Sequence, residues 1–355
     1  MSSLERLGWN SFFQQQLADE GPLRRARVVQ EQRGLCALAG EVDGWAEVSG
    51  RFRHDAGAAA DFPAVGDWVG VAAPPGANRA IVHRRLDRRS ILSRKAAGRV
   101  QEEQVVAANV DTVFLVNALT SAISANRIER YLTMVWEGGA TPVVVLSKAD
   151  LCADPAAEAV ALRRRLPFVD VVVVSALAAN GVDALTLYLG PARTVALLGS
   201  SGTGKSTLIN RLLGIDRLGV GAVRDLDGKG RHTTTSRQLV EMPGGALLID
   251  TPGMRELQPW ADESAVDRTF EEVVDVARGC RFADCAHGTE PGCAVLDAVA
   301  AGALDAGRLE HYRRLLREAA FEERKRDKGA AAEQKRKWKQ IHQANKALYR
   351  HREKP

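Results

Sequence analysis

From Val28 to about Leu92, apolar residues come in short runs broken by Gly, Pro and Asp. Examples are Arg27-Val28-Val29, Leu35-Cys36-Ala37-Leu38, Trp45-Ala46-Glu47-Val48 and Asp67-Trp68-Val69-Gly70-Val71. Runs of this length and spacing predict the strands of a small β-barrel. The pattern alone fits an oligonucleotide-binding (OB-type) barrel and an SH3-like one. Residues 1–27 are polar and give no clear element. Arg84, Arg85, Arg88, Arg89, Arg94, Lys95 and Arg99 follow closely, and are expected either to line a phosphate-facing edge or to solvate a connector.

From Asp111 the rhythm changes. Thr112–Asn117, Pro142–Ser147, Val169–Ser175, Thr194–Gly199 and Ala246–Asp250 are apolar runs of strand length. Helical stretches lie between several of them: Arg127–Glu137, Ala156–Leu166, Val182–Leu189 and Lys205–Leu213. Strands alternating with helices predict βαβ units and a mainly parallel sheet. The absence of polar alternation fits strands covered on both faces. After about Trp260 the pattern is helical again, through a cysteine cluster and Leu304–Ala320, into a basic tail. There is no internal repeat.

A chain of 355 residues suits two or three domains. With 45% apolar and 26% charged residues it has a soluble globular balance. No apolar run approaches the roughly 18 residues of a membrane span. Met1-Ser2-Ser3-Leu4-Glu5-Arg6 lacks the features of a signal peptide, so a cytoplasmic protein with no membrane partner is expected. The net charge of +5 is uneven: Phe321–Pro355 holds 12 Lys+Arg against 5 Asp+Glu, a net of +7, and the rest nets −2. Such a block suits a polyanion, nucleic acid above all, or else is a solvated helix face.

Gly199-Ser200-Ser201-Gly202-Thr203-Gly204-Lys205-Ser206, followed by Thr207, fits G-x-x-x-x-G-K-[ST] at every fixed position. An apolar strand precedes it and a helical stretch follows. Glycines let successive N–H groups turn toward one anion, and the helix N-terminus adds positive charge. Lys205 is expected on the β- and γ-phosphates and the Ser206 hydroxyl on Mg²⁺. The loop specifies a nucleoside triphosphate, without naming the base or the reaction.

Ser147-Lys148-Ala149-Asp150 ends a predicted strand and resembles the N-K-x-D element of GTP-binding proteins, with Ser for Asn. A carboxylate at Asp150 can accept from guanine N1–H and the exocyclic amine, a donor pair that adenine lacks. Lys148 would lie over the base. Ser175-Ala176-Leu177 resembles the S-A loop beside the guanine O6. Asp250-Thr251-Pro252-Gly253 matches D-x-x-G, with Asp250 expected on Mg²⁺ and the Gly253 N–H at the γ-phosphate. Among Thr233, Thr234 and Thr235, Thr234 is favoured as the switch ligand of Mg²⁺ and γ-phosphate, although the triple run leaves the register open. Met254 stands where Ras-like enzymes place a water-orienting Gln. His232 is the catalytic candidate in its place, with a flexible surface histidine as the plainer alternative.

Of five cysteines, three fall in Cys280-x4-Cys285-x-His287-x5-Cys293. Three thiolates and an imidazole suit one closed, structural, tetrahedral Zn²⁺ site that would organise loops too short for a core. The alternative is three buried free thiols and an unrelated histidine.

The order of motifs is Lys148/Asp150, Ser175/Ala176, phosphate loop, Thr234, Asp250/Gly253. Ordinary GTPases begin with the phosphate loop, so this is a circular permutation. The segment after Asp250–Gly253 then feeds directly into the C-terminal module, which gives nucleotide state a route to the cysteine cluster and tail. With Leu92-Ser93-Arg94-Lys95, Ser147–Asp150, Gly199–Ser206, Gly230-Arg231-His232-Thr233-Thr234-Thr235, Asp250–Gly253 and the cysteine cluster, the chain resembles the circularly permuted, small-ribosomal-subunit-dependent GTPases of bacterial ribosome biogenesis, from about Arg27 to Arg317. The resemblance implies a multidomain fold: an N-terminal OB-type β-barrel, a central circularly permuted α/β P-loop GTPase domain and a C-terminal α-helical zinc-binding domain. The corresponding boundaries are 1–100, 101–265 and 266–320, with a basic helical tail over 321–355. It also implies GTP/GDP, Mg²⁺ and one Zn²⁺ as ligands, and low GTP hydrolysis stimulated by the 30S ribosomal subunit late in its maturation. The expected partners are that subunit and its 16S rRNA, met by a monomer. Two other functions compete: a P-loop kinase or ATPase, against which Asp150 and Ser175 argue, and a nucleotide-gated RNA-binding protein with negligible turnover, which Met254 favours.

Overall fold

The computed structural model describes residues 1–17, 22–32, 34–74, 78–95, 103–120, 122–179, 181–214, 237–250 and 263–321. Arg99, His232, Thr233, Thr234, Thr235, Gly253, Met254 and the basic tail from residue 322 lie outside the described residues. The chain divides into two compact units, Met1–Pro259 and Trp260–Pro355.

In the first unit, two short helices, α1 (Ser3–Arg6) and α2 (Ser11–Gln16), open the chain. Ser2 and Asn10 cap them through their side chains. At four and six residues they are too short to show a helical period, so their sequence reads as merely polar. Leu4 and Phe13 nevertheless reach a small core with Trp68 and Leu86.

Strands β1 (Arg24–Gln32), β2 (Leu35–Gly40), β3 (Gly44–Val48), β4 (Trp68–Ala72) and β5 (Ala80–Arg85) follow, with helix α3 (Gly50–Asp55) between β3 and β4. They pair in the order β1-β2-β3-β5-β4, and β4 returns to β1. The β3–β5 pair is parallel, from Ala46↔Ala80 to Val48↔Val82; the other pairs are antiparallel. This closed five-strand order is that of an OB-type barrel, which decides between the two barrels the apolar pattern allows. Val28, Leu38, Ala46, Val69, Val71 and Val82 fill its interior.

Two of the arginines at the end of the barrel are structural. Arg88 forms a bidentate pair with the fully buried Asp67, at 2.8 and 2.7 Å, and also donates to the carbonyls of Ala60 and Phe62. Arg85 donates to the carbonyls of Asp61 and Leu86. The expected phosphate-facing edge therefore does not include Arg88, whose donors a buried carboxylate and two carbonyls take up, whereas Arg85 commits Nε and Nη1 to carbonyls.

A hairpin of β6 (Ile91–Lys95) and β7 (Glu103–Ala108) leads into the α/β part. There, β8 (Thr112–Ala118), α4 (Ala125–Glu137), β9 (Thr141–Ser147), α5 (Pro155–Arg165), β10 (Asp170–Val173), β11 (Thr194–Leu198), α6 (Lys205–Leu212), β12 (Gln238–Glu241) and β13 (Leu247–Asp250) succeed one another. The sheet order is β10-β9-β8-β11-β13-β12, with β12 alone antiparallel. Val113–Val116, Val143–Leu146 and Val195–Leu198 are buried without alternation, as strands covered on both faces must be. The stretch Val182–Leu189, expected as a helix, is a tight 3₁₀ segment over Asp183–Tyr188. β12 also meets β1 at Gln30↔Gln238, joining sheet and barrel.

Arg27, 1% exposed, holds the barrel to its neighbours: Nη1 donates to Leu7 O at 2.6 Å, Nε to Gly66 O and Nη2 to Asn109 O, both at 3.1 Å. Burial pushes its pKa down to about 10, so it remains a cation at neutral pH.

The second unit contains α7 (Glu263–Thr269), α8 (Glu271–Ala277), α9 (Ala294–Ala300) and a helix over 306–321. Val266, Phe270, Val273, Val295, Leu309, Tyr312 and Leu315 form its core. Arg308 crosses this core, pairing with Glu272 and donating to Thr269 O at 2.8 Å.

Candidate functional site

Because β9, β10 and β11 are parallel, their C-terminal ends share one edge of the sheet, and three chain segments arrive there together. The phosphate loop leaves β11. Its Gly199, Gly202 and Gly204 have φ of +153°, +80° and +83°. At Gly199 a Cβ would lie 2.3 Å from the Val116 carbonyl oxygen, so only glycine fits. Lys205 Nζ donates to Gly199 O and Ser200 O, both at 2.7 Å, and Thr203 Oγ1 donates to Ser200 O at 3.0 Å. Ser201, Ser206 and Thr207 are exposed at the loop and first turn of α6.

The Ser147–Asp150 element leaves β9. Ser147, buried, donates from Oγ toward Thr203 O at 2.7 Å and Asn117 O at 3.2 Å. The serine thus ties its strand to the phosphate loop. Lys148 takes a left-handed conformation at φ +58°, turning the chain into the 3₁₀ segment Ala149–Leu151. Its Cε lies 3.7 Å from where a Cβ on Gly204 would stand, so the lysine stem runs over the phosphate loop. Asp150 is exposed and accepts from Ser175 Oγ at 2.5 Å. Ser175 ends the segment after β10, and Ala176 beside it is half-buried. Ser147, Lys148, Asp150, Ser175, Ala176 and Gly199–Thr207 therefore all lie around one end of the sheet.

Asp250 terminates β13, whose Ile249 is registered with Ala196 on β11, so the residue sits at the end of the sheet from which the phosphate loop and Ser206 follow. Hydroxyl and carboxylate oxygens are the hard donors that Mg²⁺ takes. Gly253, His232 and Thr234 lie outside the described residues.

Sequence reasoning missed two supports of this edge. A Cβ on Gly181 would stand 1.9 Å from Ser175 O, so the S-A loop closes only over a glycine. Arg211 at the end of α6 donates to Ala178 O and Ala179 O, clasping the same loop to the helix that the phosphate loop begins. Neither residue belongs to a motif; each acts through backbone oxygens that only the fold brings near.

In the second unit, the ligand atoms of Cys280, Cys285, His287 and Cys293 all lie within 4.8 Å of one another. His287 Nδ1 is 3.6 Å from Cys280 Sγ and 3.5 Å from Cys293 Sγ, and these two sulfurs are 3.9 Å apart. Tetrahedral zinc, with bonds of about 2.3 Å to sulfur and about 2.0 Å to nitrogen, separates its ligands by roughly 3.8 Å (S to S) and 3.5 Å (S to N). The donor set fits such an ion in chemistry and in spacing. Burial holds the His287 imidazole below its ordinary pKa, in the neutral form a metal needs. Glu290, also missed from sequence, braces the turn: its carboxylate accepts from the N–H groups of Ala286, Gly288 and Thr289.

A sequence model of the RsgA GTPase family matches residues 85–260. A curated relative from Opitutus terrae, the small ribosomal subunit biogenesis GTPase RsgA, is 47% identical over 98% of both chains. The RsgA of Streptomyces coelicolor is 42% identical, over 95% of this chain and 92% of its own. The chain belongs to the RsgA GTPase family. Its fold agrees with the crystal structure of YjeQ from Thermotoga maritima, at a TM-score of 0.63 and 26% identity over 84% of this chain and 98% of that one. The solved YloQ, described as a circularly permuted GTPase, has the same fold, at a TM-score of 0.60 and 22% identity over 85% and 97%.

The RsgA membership accounts for the order of the elements. In this chain β9, which ends in Ser147–Asp150, precedes β11, which ends in the phosphate loop, while the sheet keeps the two on either side of β8. The barrel, the permuted GTPase sheet and the C-terminal Cys₃His module stand in the order that the sequence predicts.

Proposed function

We propose that this protein is a GTPase that binds the 30S ribosomal subunit and hydrolyses GTP to GDP and phosphate during late maturation of that subunit. The observation that carries the reading is the junction of guanine-side and phosphate-side elements: Ser147 Oγ on Thr203 O, the Lys148 stem over Gly204, and Asp150 against Ser175. A carboxylate at Asp150 suits the paired donor edge of guanine, which adenine lacks, and so argues against the kinase or ATPase reading.

In this assignment Lys148, Asp150, Ser175 and Ala176 hold the guanine, and Ser147 fixes their distance from the phosphates. Gly199–Thr207 cradles the triphosphate, with Lys205 on the β- and γ-phosphates. Ser206, Asp250 and Thr234 hold Mg²⁺, which neutralises phosphate charge when bound. Gly253 senses the γ-phosphate, and His232, beside the switch threonines, orients the attacking water. Cys280, Cys285, His287 and Cys293 hold one structural zinc. The chain acts as a cytoplasmic monomer, with 16S rRNA as its polyanion. With the division at 1–100, 101–265, 266–320 and 321–355, the barrel, the zinc module and the basic tail contact the RNA backbone.

The test is GTP hydrolysis by the purified chain with small subunits, with large subunits and with neither. Turnover raised by small subunits alone is the expected result. Equal rates in all three arms would overturn the partner, and no turnover with small subunits would favour the nucleotide-gated RNA-binding protein that Met254 suggests. Binding to the subunit should weaken steeply with salt, as phosphate contacts require.

A further inference from the structure

A second cation reaches the phosphate loop from outside the phosphate-loop motif. Arg127 lies in the first turn of α4, the helix that follows β8, and β8 is the strand beside β11. Its Nη1 donates to Ser200 Oγ at 3.2 Å. The carbonyl of the same Ser200 accepts from Lys205 Nζ at 2.7 Å. Two positive groups, 78 positions apart in the chain, thus meet on the second residue of the loop.

The position is imposed by the helix. Ile128 and Leu132 are buried in the sheet's core, and the fully buried Glu129 carboxylate pairs with Arg165 at 2.8 Å. These neighbours fix the rotation of α4, which leaves Arg127 exposed on the side of the phosphate loop. Among the described residues no carboxylate neutralises it. An exposed guanidinium that pairs with no carboxylate and reaches the phosphate loop is chemically directed, since its planar fork matches two phosphate oxygens.

We propose that Arg127 is a catalytic arginine supplied within the chain. It exchanges Ser200 for the γ-phosphate oxygens of GTP and offsets the charge that gathers there during hydrolysis. The water oxygen bonds to Pγ. The bond from Pγ to the β,γ-bridging oxygen breaks, and its electron pair leaves on GDP. The water proton passes to the released phosphate or to solvent, and Arg127 transfers none. The proposal rests on the GTPase reading above. Arg127 acts on the phosphate charge alone; orienting the water, which the thioether of Met254 cannot do, is the part given to His232.

The test compares wild type, Arg127→Lys and Arg127→Met in the full chain. It measures GTP turnover with and without small ribosomal subunits, GDP affinity, and binding of GDP with aluminium fluoride, a mimic of the transferred phosphoryl group. Arg127→Met should lower kcat by roughly 10²-fold or more and weaken the fluoride complex, while GDP affinity stays within about twofold. Arg127→Lys should fall between, keeping the charge without the fork. Wild-type kcat in Arg127→Met would overturn the proposal and leave the GTPase reading intact. A GDP affinity that falls in step with kcat would also overturn it, by showing loop support instead of catalysis. A wild type that never turns over would overturn both.

Discussion

Ser147 Oγ lies 2.7 Å from the carbonyl of Thr203, a hydrogen bond that spans 56 positions and joins the end of β9 to the phosphate loop. Both residues are buried. Ser147→Ala leaves that carbonyl without its donor, which costs about 1–2 kcal/mol, or roughly 5- to 30-fold in nucleotide affinity if the loop moves. Titration with a fluorescent GDP analogue reads the change. Ser147→Asn restores a donor and is expected to bind as well as wild type. An unchanged affinity for Ser147→Ala would mean that the two loops hold their distance without this bond.

Asp150 invites a change of base. Its Oδ1 accepts from Ser175 Oγ, which orients the carboxylate. Asp150→Asn replaces an acceptor pair by one acceptor and one NH₂ donor. Guanine, with two donors on that edge, should then bind roughly 10²-fold more weakly, as one hydrogen bond gives way to two opposed donors and the other loses its charge. Xanthine carries a carbonyl where guanine carries the amine, and so matches the amide. Competition between GDP and XDP for the variant checks the prediction; retained GDP preference would place the base elsewhere.

Much of this site was legible because its chemistry is local. Gly199–Ser206, Ser147–Asp150 and Cys280–Cys293 each show their residue types at fixed spacing, and a continuous apolar run announces each buried strand. What was not legible acts through backbone oxygens far away in sequence. Nothing local marks Gly181, whose need for glycine shows only where Ser175 O lies 1.9 Å from its would-be Cβ. Arg88 reads as a surface charge until Asp67 closes over it. Helices α1 and α2 escape because one turn carries no period, and Val182–Leu189 reads as an α-helix because i,i+3 apolar spacing also serves a 3₁₀ segment.

Arg27 ties the segment after α1, the turn before β4 and the turn before β8 through three carbonyls. Arg27→Met preserves the stem and removes every donor. Three buried acceptors then lack partners, and a loss of about 3–5 kcal/mol in the first unit is expected. Denaturant unfolding followed by tryptophan fluorescence reports it, since Trp68 lies under the guanidinium at 5.8 Å from ring centre to Cζ. Burial has lowered this group's pKa to about 10. Its charge, and with it the three bonds, is complete below that value, so the difference between wild type and Arg27→Met should stay flat from pH 6 to 8.

The C-terminal unit should stand or fall with its metal. Its core is small, and Cys280 and Cys285 pack against it, so the ion would hold what apolar burial alone does not. Elemental analysis should give one zinc per chain, and Cys293→Ser should lower that content while leaving GDP affinity unaffected, because the nucleotide elements lie in the other unit. Glu290 adds a milder lesion. Backbone N–H groups, its own and those of Gly288, Ala286 and Thr289, hold its carboxyl below the ordinary glutamate value. A depressed carboxylate contributes stability above the unfolded pKa and loses it as pH falls through the folded one. Glu290→Gln should therefore speed zinc loss to a chelator at neutral pH, with the gap to wild type closing in acid. A chelator that strips the zinc without altering the melting of this unit would show that the four ligands bind an ion the fold does not need.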